Sequence, residues 1–229
     1  MGMDWYDMIA KRNGGYKSNA IYTIEGESGE EEFEKRLIEM LPSYESVLDA
    51  GCGDGEFTLK MAKYAKKIIG FDNSNELLKI ASLSLQEINE INNVKFIYAH
   101  TKDKDGLPFE DEQFDLIYNR RGPTSIYNYI RILRSGGRIF SIHPACLEKA
   151  KERLIKGGFI NIKIEIFDKA YIYFPNEIEY AKWLTAIPGN PDYTIEENKD
   201  KLEKKIKENI IDGRIGEQLW RYLVTATKA

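Results

Sequence analysis

Apolar residues along the chain come in two patterns that take turns: short unbroken runs, and positions spaced three or four apart. Residues 30–41 show the helical spacing, with Phe33, Leu37 and Leu41 on one face and Pro42 stopping the run. Residues 46–50 (SVLDA) follow as a strand whose lack of alternation predicts burial on both faces. A helix over 55–65, a strand over 67–71 (KIIGF) and a long helix over 74–90 with Ser74 as its N-cap come next. A strand over 94–99 leads through a polar loop to Leu107-Pro108-Phe109 and a strand over 114–118 (FDLIY). The pattern then predicts a helix over 123–133, with Pro123 near its first turn, and a turn at Ser135-Gly136-Gly137. A strand over 138–142, a helix over 147–156 closed by Gly157-Gly158, and a strictly alternating strand over 160–168 complete the series. Repeated βα units of this kind predict an α/β fold, with a mostly parallel sheet, helices on both faces and right-handed crossovers.

Beyond residue 170 the pattern changes. Residues 171–192 are rich in aromatics and prolines, unlike a simple connector. A charged helix over 195–209 carries five lysines against five acids between Glu196 and Glu208, so it reads as a solvated face. Residues 220–226 (WRYLVTA) form a last strand. One domain over 1–229 is expected, with 1–29 as an N-terminal lid and 171–193 as a cap inserted near the substrate.

Composition narrows the function. A length of 229 residues gives room for a sizeable core, and a formal charge of -4 argues against broad nucleic-acid binding. No uncharged apolar run approaches the roughly 18 residues of a membrane span. Residues 1–17 interleave charges and glycines with apolar residues, unlike a secretory signal, so a cytoplasmic protein without membrane contact is expected. Two cysteines make no disulfide framework, and no Cys/His cluster points to a metal.

The chemistry concentrates in Asp49-Ala50-Gly51-Cys52-Gly53-Asp54-Gly55, where a strand ends and a helix begins. Glycines at alternate positions let the backbone turn tightly against a ligand, and the helix start offers free N–H groups. Asp72, at the tip of the second strand, can accept the hydroxyls of a ribose. The spacing is GxGxG rather than the dinucleotide GxGxxG, and no phosphate-binding P-loop sequence occurs. Asp49, Asp54 and Glu56 flank the glycines; carboxylates repel a pyrophosphate and suit a cofactor carrying a sulfonium and an ammonium.

The segments VLDAGCGDGEFT (47–58), IIGFDNS (68–74), GLPFEDEQFDLIYNR (106–120) and LRSGGRIFSI (133–142) resemble the class I, Rossmann-like S-adenosylmethionine-dependent methyltransferases. The resemblance implies a three-layer sandwich around a seven-stranded, mostly parallel sheet with one antiparallel strand near an edge, for which 220–226 is the candidate. It implies S-adenosylmethionine as cofactor, with Gly51, Cys52, Gly53 and Gly55 along its amino-acid part and Asp49 near its ammonium. Asp72 would hold the ribose hydroxyls, Asn73 would sit beside the adenine, and Asn119 would contact the cofactor. The loop after the third strand departs from the family pattern, with His100 and Thr101 the expected flanks of the adenine and Asp103 the alternative.

The acceptor side is read from the residues. Arg120 and Arg121 suit an anionic group, or else pair with a neighbouring acid. His143 is a candidate general base, or else a hydrogen-bonded residue at a strand end. Tyr173 and Trp183 either line a substrate pocket or form the core of the cap. A small or medium-sized acceptor is the expected substrate. RNA is the rival acceptor, with Arg120, Arg121, Arg131, Arg134 and Arg138 as its candidate contacts, and a non-catalytic nucleoside-binding protein of the same fold is the other alternative.

Overall fold

The computed structural model describes residues 3–104 and 106–229. Met1 and Gly2, at the start of the expected lid, and Asp105, in the loop before Leu107, lie outside the described residues. The elements run α1 (Met3–Asn13), β1 (Thr23–Glu25), α2 (Glu30–Met40), β2 (Val47–Ala50), α3 (Glu56–Ala62), β3 (Ile68–Asp72), α4 (Asn75–Glu87), β4 (Val94–Tyr98) and β5 (Phe114–Arg120). They continue with β6 (Leu133–His143), α5 (Leu147–Lys156), β7 (Phe159–Phe174), α6 (Glu177–Thr185), α7 (Lys199–Glu208), β8 (Ile210–Ile211) and β9 (Arg214–Lys228).

The strands lie in the order β1-β7-β9-β6-β5-β2-β3-β4, with β8 paired on β9. Five neighbours, β6-β5-β2-β3-β4, pair in parallel, and β9 runs antiparallel between β6 and β7. The expected antiparallel strand is therefore present, as β9. The sheet has nine strands rather than seven, because Thr23–Glu25 adds an antiparallel edge to β7 and Ile210–Ile211 folds back on β9.

The two faces bury different side chains. Phe33 and Leu37 of α2 and Met61 of α3 pack on Val47, Leu116, Phe140 and Leu223. On the other face Ala150 and Leu154 of α5, with Ile126, Tyr127 and Ile132, cover Leu48, Ile117, Ile139 and Val224. Strand β2 is buried at all four positions, as its unbroken apolar run requires.

Two expectations fail locally. Residues 123–133 do not form an α-helix; 3-10 turns at Thr124–Asn128 and Ile130–Ile132 take its place. The segment TSIYNYIRI is built from β-branched and aromatic residues of low helical preference, and burial of Ile126, Tyr127 and Ile132 decides its path. Residues 171–174, assigned to the cap, instead prolong β7 to 16 residues, where Tyr173 pairs with Thr23 and Gly216. The rest of that segment starts with α6. It has its own core of Phe174, Tyr180, Leu184, Tyr193 and Leu219, with Trp183, Leu202 and Ile206 packed against it. Among the described residues, no helix is long and apolar enough to cross a membrane.

Candidate functional site

The parallel strands β2, β3 and β5 end side by side, and the glycine loop connects β2 to α3 at this edge. Gly51 and Cys52 donate their N–H groups to the Phe71 carbonyl (both 2.9 Å), which ties the loop to β3. Gly55 caps α3 with φ 78°, and a Cβ there would lie 2.7 Å from the Phe96 ring and 2.8 Å from Ala81. Only glycine fits both the left-handed backbone and that approach.

Three carboxylates surround the loop. Asp72 accepts the Gly53 N–H at Oδ2 (2.9 Å) and the Ser74 N–H at Oδ1 (3.0 Å). A carboxylate offers about four acceptor positions, so capacity remains for hydroxyls of a ligand. Burial raises its pKa, against the lowering effect of the backbone N–H groups. Asp49 is 2% exposed, and its Oδ2 accepts Thr58 Oγ1–H (2.6 Å) and Tyr118 O–H (2.8 Å). Burial lifts its pKa to about 6, the Thr58 and Tyr118 hydroxyls oppose the rise, and the charge of Asp72 adds to it. Asp54 Oδ2 accepts the Tyr16 N–H at 2.8 Å. Cys52 is 8% exposed; burial, followed by Asp49 and Asp72, pushes its thiol up.

Asn119, on β5, is fully buried beside this loop. Its Nδ2 donates to the Pro123 carbonyl (3.0 Å), and its Oδ1, among the described residues, is buried without a hydrogen-bond partner. Asn73 follows Asp72 into the start of α4, between β3 and the cap residue Ser74. His100 and Thr101 stand just beyond β4, next to Asp72, whose carbonyl accepts the Ala99 N–H at 3.1 Å. His100 Nδ1 lies 3.4 Å from Asp103, and Thr101 Oγ1 shares a 2.6 Å hydrogen bond with Ser125.

The N-terminal segment lies across the same edge. Asp7 accepts from the Glu76 N–H (3.3 Å) and pairs with Ser74 Oγ, docking α1 on the start of α4. Trp5, Tyr6 and Tyr16 cluster with ring centroids 5.2 to 6.5 Å apart, and Tyr16 Cβ stands 3.9 Å from where a Gly53 Cβ would be. Burial, reinforced by the charge of Asp72, raises the Tyr6 phenol; burial, Tyr6 and Asp72 lift that of Tyr16 to about 12 against the pull of Arg121. Tyr22 turns the other way and meets Phe174 of the cap. Helix α1 carried a usable signal, since Tyr6, Ile9 and Ala10 follow helical spacing and Ile9 and Ala10 are buried.

His143, the last residue of β6, is buried against two tyrosines. It is 2% exposed, its Nε2 is 2.9 Å from Tyr127 Oη, and its ring lies 5.4 Å from that of Tyr222, tilted by 37°. Burial depresses its pKa to about 4. A base whose folded pKa is lowered stabilises the protein fully above the unfolded value near 6.5, and that contribution fades as pH falls toward 4. Urea denaturation of wild type and His143→Gln should show the wild-type advantage shrinking by up to about 3 kcal/mol between pH 7 and pH 4. A constant difference across that range would mean that the histidine is not held neutral.

Tyr173 and Trp183 each pack on a neighbouring side chain. The Arg214 guanidinium sits 3.5 Å from the Tyr173 ring centroid, and Trp183 packs 5.3 Å from Phe174 inside the cap core. Arg131, Arg134 and Arg138 lie toward the opposite end of the strands, where Arg131 pairs with Asp111 and Arg134 with Asp115. Arg120 and Arg121 do reach the site edge, and both pair with Glu30, at 2.8 and 3.5 Å. The sequence reading missed Arg221, which joins the same carboxylate at 3.3 Å from β9.

A family profile described as a methyltransferase domain matches residues 42–145, the stretch that builds the glycine loop, Asp72 and Asn119. Residues 42–145 belong to the methyltransferase domain family. The chain is 31% identical over 131 residues to the 23S rRNA (uracil(1939)-C(5))-methyltransferase RlmD of Vibrio campbellii, covering 55% of this chain and 30% of that protein. It is 31% identical over 112 residues to the demethylmenaquinone methyltransferase of Lactococcus lactis, covering 43% of each. The chain thus spans under half the length of these relatives. Among solved structures, a Deinococcus radiodurans protein of unknown function superposes with a TM-score of 0.69 at 21% identity, covering 99% of this chain and 100% of that one. A geranyl diphosphate methyltransferase in complex with its diphosphate and sinefungin gives 0.55 at 13% identity, covering 87% and 78%. At these identities the structures establish the fold.

Proposed function

We propose that the protein transfers a methyl group from S-adenosylmethionine to an acceptor held between the β5 edge and the N-terminal segment. The observation that carries this reading is the ring of Asp49, Asp54 and Asp72 around a glycine loop, with the unpaired Asn119 Oδ1 beside it. A cationic ligand suits both features: the carboxylates compensate its charge, and a buried acceptor oxygen without a donor is costly until one arrives. Asp72 would hold the ribose, Asn73, His100 and Thr101 the adenine, and Gly51, Gly53 and Asn119 the amino-acid end. Asp49, engaged by Thr58 and Tyr118, would act on the ligand through its charge.

When bound, S-adenosylmethionine supplies a methyl carbon on a sulfonium, so that an acceptor lone pair forms the new bond as the carbon–sulfur pair leaves with sulfur and the acceptor proton passes to solvent. The protein's contribution is position. Reactants held in line can gain about 7–11 kcal/mol over free encounter. Tyr6 and Tyr16, docked over Gly53 and Asp72, would exclude water from that volume.

The electrostatics give a pH test. A sulfonium favours ionised Asp49 and so lowers its pKa, which makes affinity for the charged cofactor rise with pH through about 6. S-adenosylhomocysteine lacks that charge. Calorimetry at pH 5 and pH 7 should therefore show the preference for S-adenosylmethionine over its product growing several-fold, and Asp49→Asn should flatten the trend. An unchanged ratio in wild type would contradict this use of Asp49.

A second reading is an RNA acceptor, which the relationship to rRNA methyltransferases over the same part of the chain favours. Three of the five arginines considered for it lie away from the site edge, in pairs or contacts of their own, and a small acceptor remains the better fit to this chain.

A further inference from the structure

Glu30 begins α2 and its side chain is 18% exposed, yet it faces Arg120, Arg121 and Arg221 together. Among the described residues, no other carboxylate lies within ion-pair distance of these guanidiniums. One carboxylate thus pairs directly with three guanidiniums, and the charge of Arg120 is also felt by Asp49. Burial would raise the Glu30 carboxyl, but Arg121, Arg120 and Arg221 outweigh it and hold the pKa below the usual range. Burial lowers the pKa of Arg221, which is 14% exposed; Glu30 opposes the shift, and Arg121 and Arg120 add to it.

The three guanidiniums are held in place. Arg120 lies 4.5 Å from the Phe57 ring centroid. Arg121 adopts a left-handed backbone, φ 64°, fixed by donation of its N–H to the Ile142 carbonyl at 2.8 Å. It is the most exposed of the three, at 41%, and its charge reaches the Tyr16 phenol. Arg120 and Arg121 directly follow Asn119, and the next residue, Gly122, packs on Ala50 and Gly51 of the glycine loop. The crevice is thus polarised, with carboxylates on the cofactor side and excess arginine beside it.

We infer that Arg120, Arg121 and Arg221, organised around Glu30, form the binding site for an anionic group on the acceptor, a carboxylate or a phosphate. The inference rests on the methyl-transfer reading and names the acceptor class for it. Glu30 holds the guanidiniums apart at fixed spacing, and the arriving anion supplies the missing negative charge through paired N–H donors. The acceptor is then a small molecule whose nucleophile lies within reach of the methyl carbon while its acidic end is gripped at Arg121.

The test is calorimetric titration of the full chain, saturated with S-adenosylhomocysteine, with inorganic phosphate and, separately, with succinate. Saturable binding of either anion is expected, and the tighter of the two identifies the acidic group. Arg121→Gln should weaken it at least tenfold while leaving the thermal midpoint unchanged and the S-adenosylhomocysteine affinity within twofold. Arg121→Lys, which keeps the charge and loses the paired donors, should fall between. Binding of S-adenosylhomocysteine with no saturable anion binding would overturn the site and leave the cofactor assignment standing. Equal anion affinity in wild type and Arg121→Gln would do the same. A single-stranded RNA that needs Arg121 and is not displaced by phosphate would overturn it in favour of a nucleic acid. No heat with S-adenosylhomocysteine would remove the methyl-transfer reading, and this site with it.

Discussion

Replacement of Asp72 by alanine is expected to weaken S-adenosylhomocysteine binding by about a hundredfold. The carboxylate would accept two ribose hydroxyls, and hydrogen bonds to a charged group contribute about 1.5–3 kcal/mol each, of which a hundredfold loss needs about 2.7. A second effect acts in the same direction. Asp72 also accepts the Gly53 and Ser74 N–H groups, so the alanine variant frees the middle of the glycine loop and the start of α4 together. Asp72→Asn keeps one carbonyl acceptor and should recover part of the affinity, which separates ligand contact from loss of fold. Isothermal calorimetry with thermal unfolding of both variants reads the two effects. Wild-type affinity in a folded Asp72→Ala protein would refute the placement of the ribose.

Gly122→Ala is expected to be strongly disruptive. A Cβ at this position would stand 2.2 Å from the Ala50 carbonyl oxygen and 2.7 Å from Asn119 Oδ1. Neither neighbour can yield: Ala50 is in the fully buried β2, and Asn119 is pinned to Pro123. The turn must move away from Gly51 instead. Overpacking of this kind costs about 1–3 kcal/mol, and the displaced turn carries Asn119 out of the site. Urea denaturation should show that loss, together with cofactor affinity reduced at least tenfold. A variant matching wild type in both would show that the close approach of this turn to the glycine loop is not required.

The cofactor side of the molecule was largely legible in the sequence because its signals are local. An unbroken apolar run, alternate glycines and a strand-tip aspartate each occupy fewer than ten residues, and parallel pairing brings them together. Residues 123–133 misled for the opposite reason. Proline at the start and apolar residues at intervals suggest a helix, but Thr124, Ile126, Ile130 and Ile132 follow the core in 3-10 turns. The extent of β7 was hidden by Tyr171 and Tyr173, which read as cap aromatics until Thr23–Glu25 and β9 pair with them. Arg221 was the least visible. It is about one hundred positions from Arg120 and meets it through Glu30, whose helix lies nearly two hundred positions earlier. No periodicity predicts a contact of that range; only the insertion of β9 between β6 and β7 creates it.

That insertion also governs how the chain can reach its native state. Until residues 214–228 arrive, β6 and β7 have no common partner, and β6 presents a row of unpaired amides and carbonyls along a largely apolar ladder. Contacts so distant along the chain close slowly, and exposed ladder edges recruit other chains. Dilute conditions during renaturation therefore favour recovery of the native fold, since crowding among half-formed sheets competes with the one strand able to seal them.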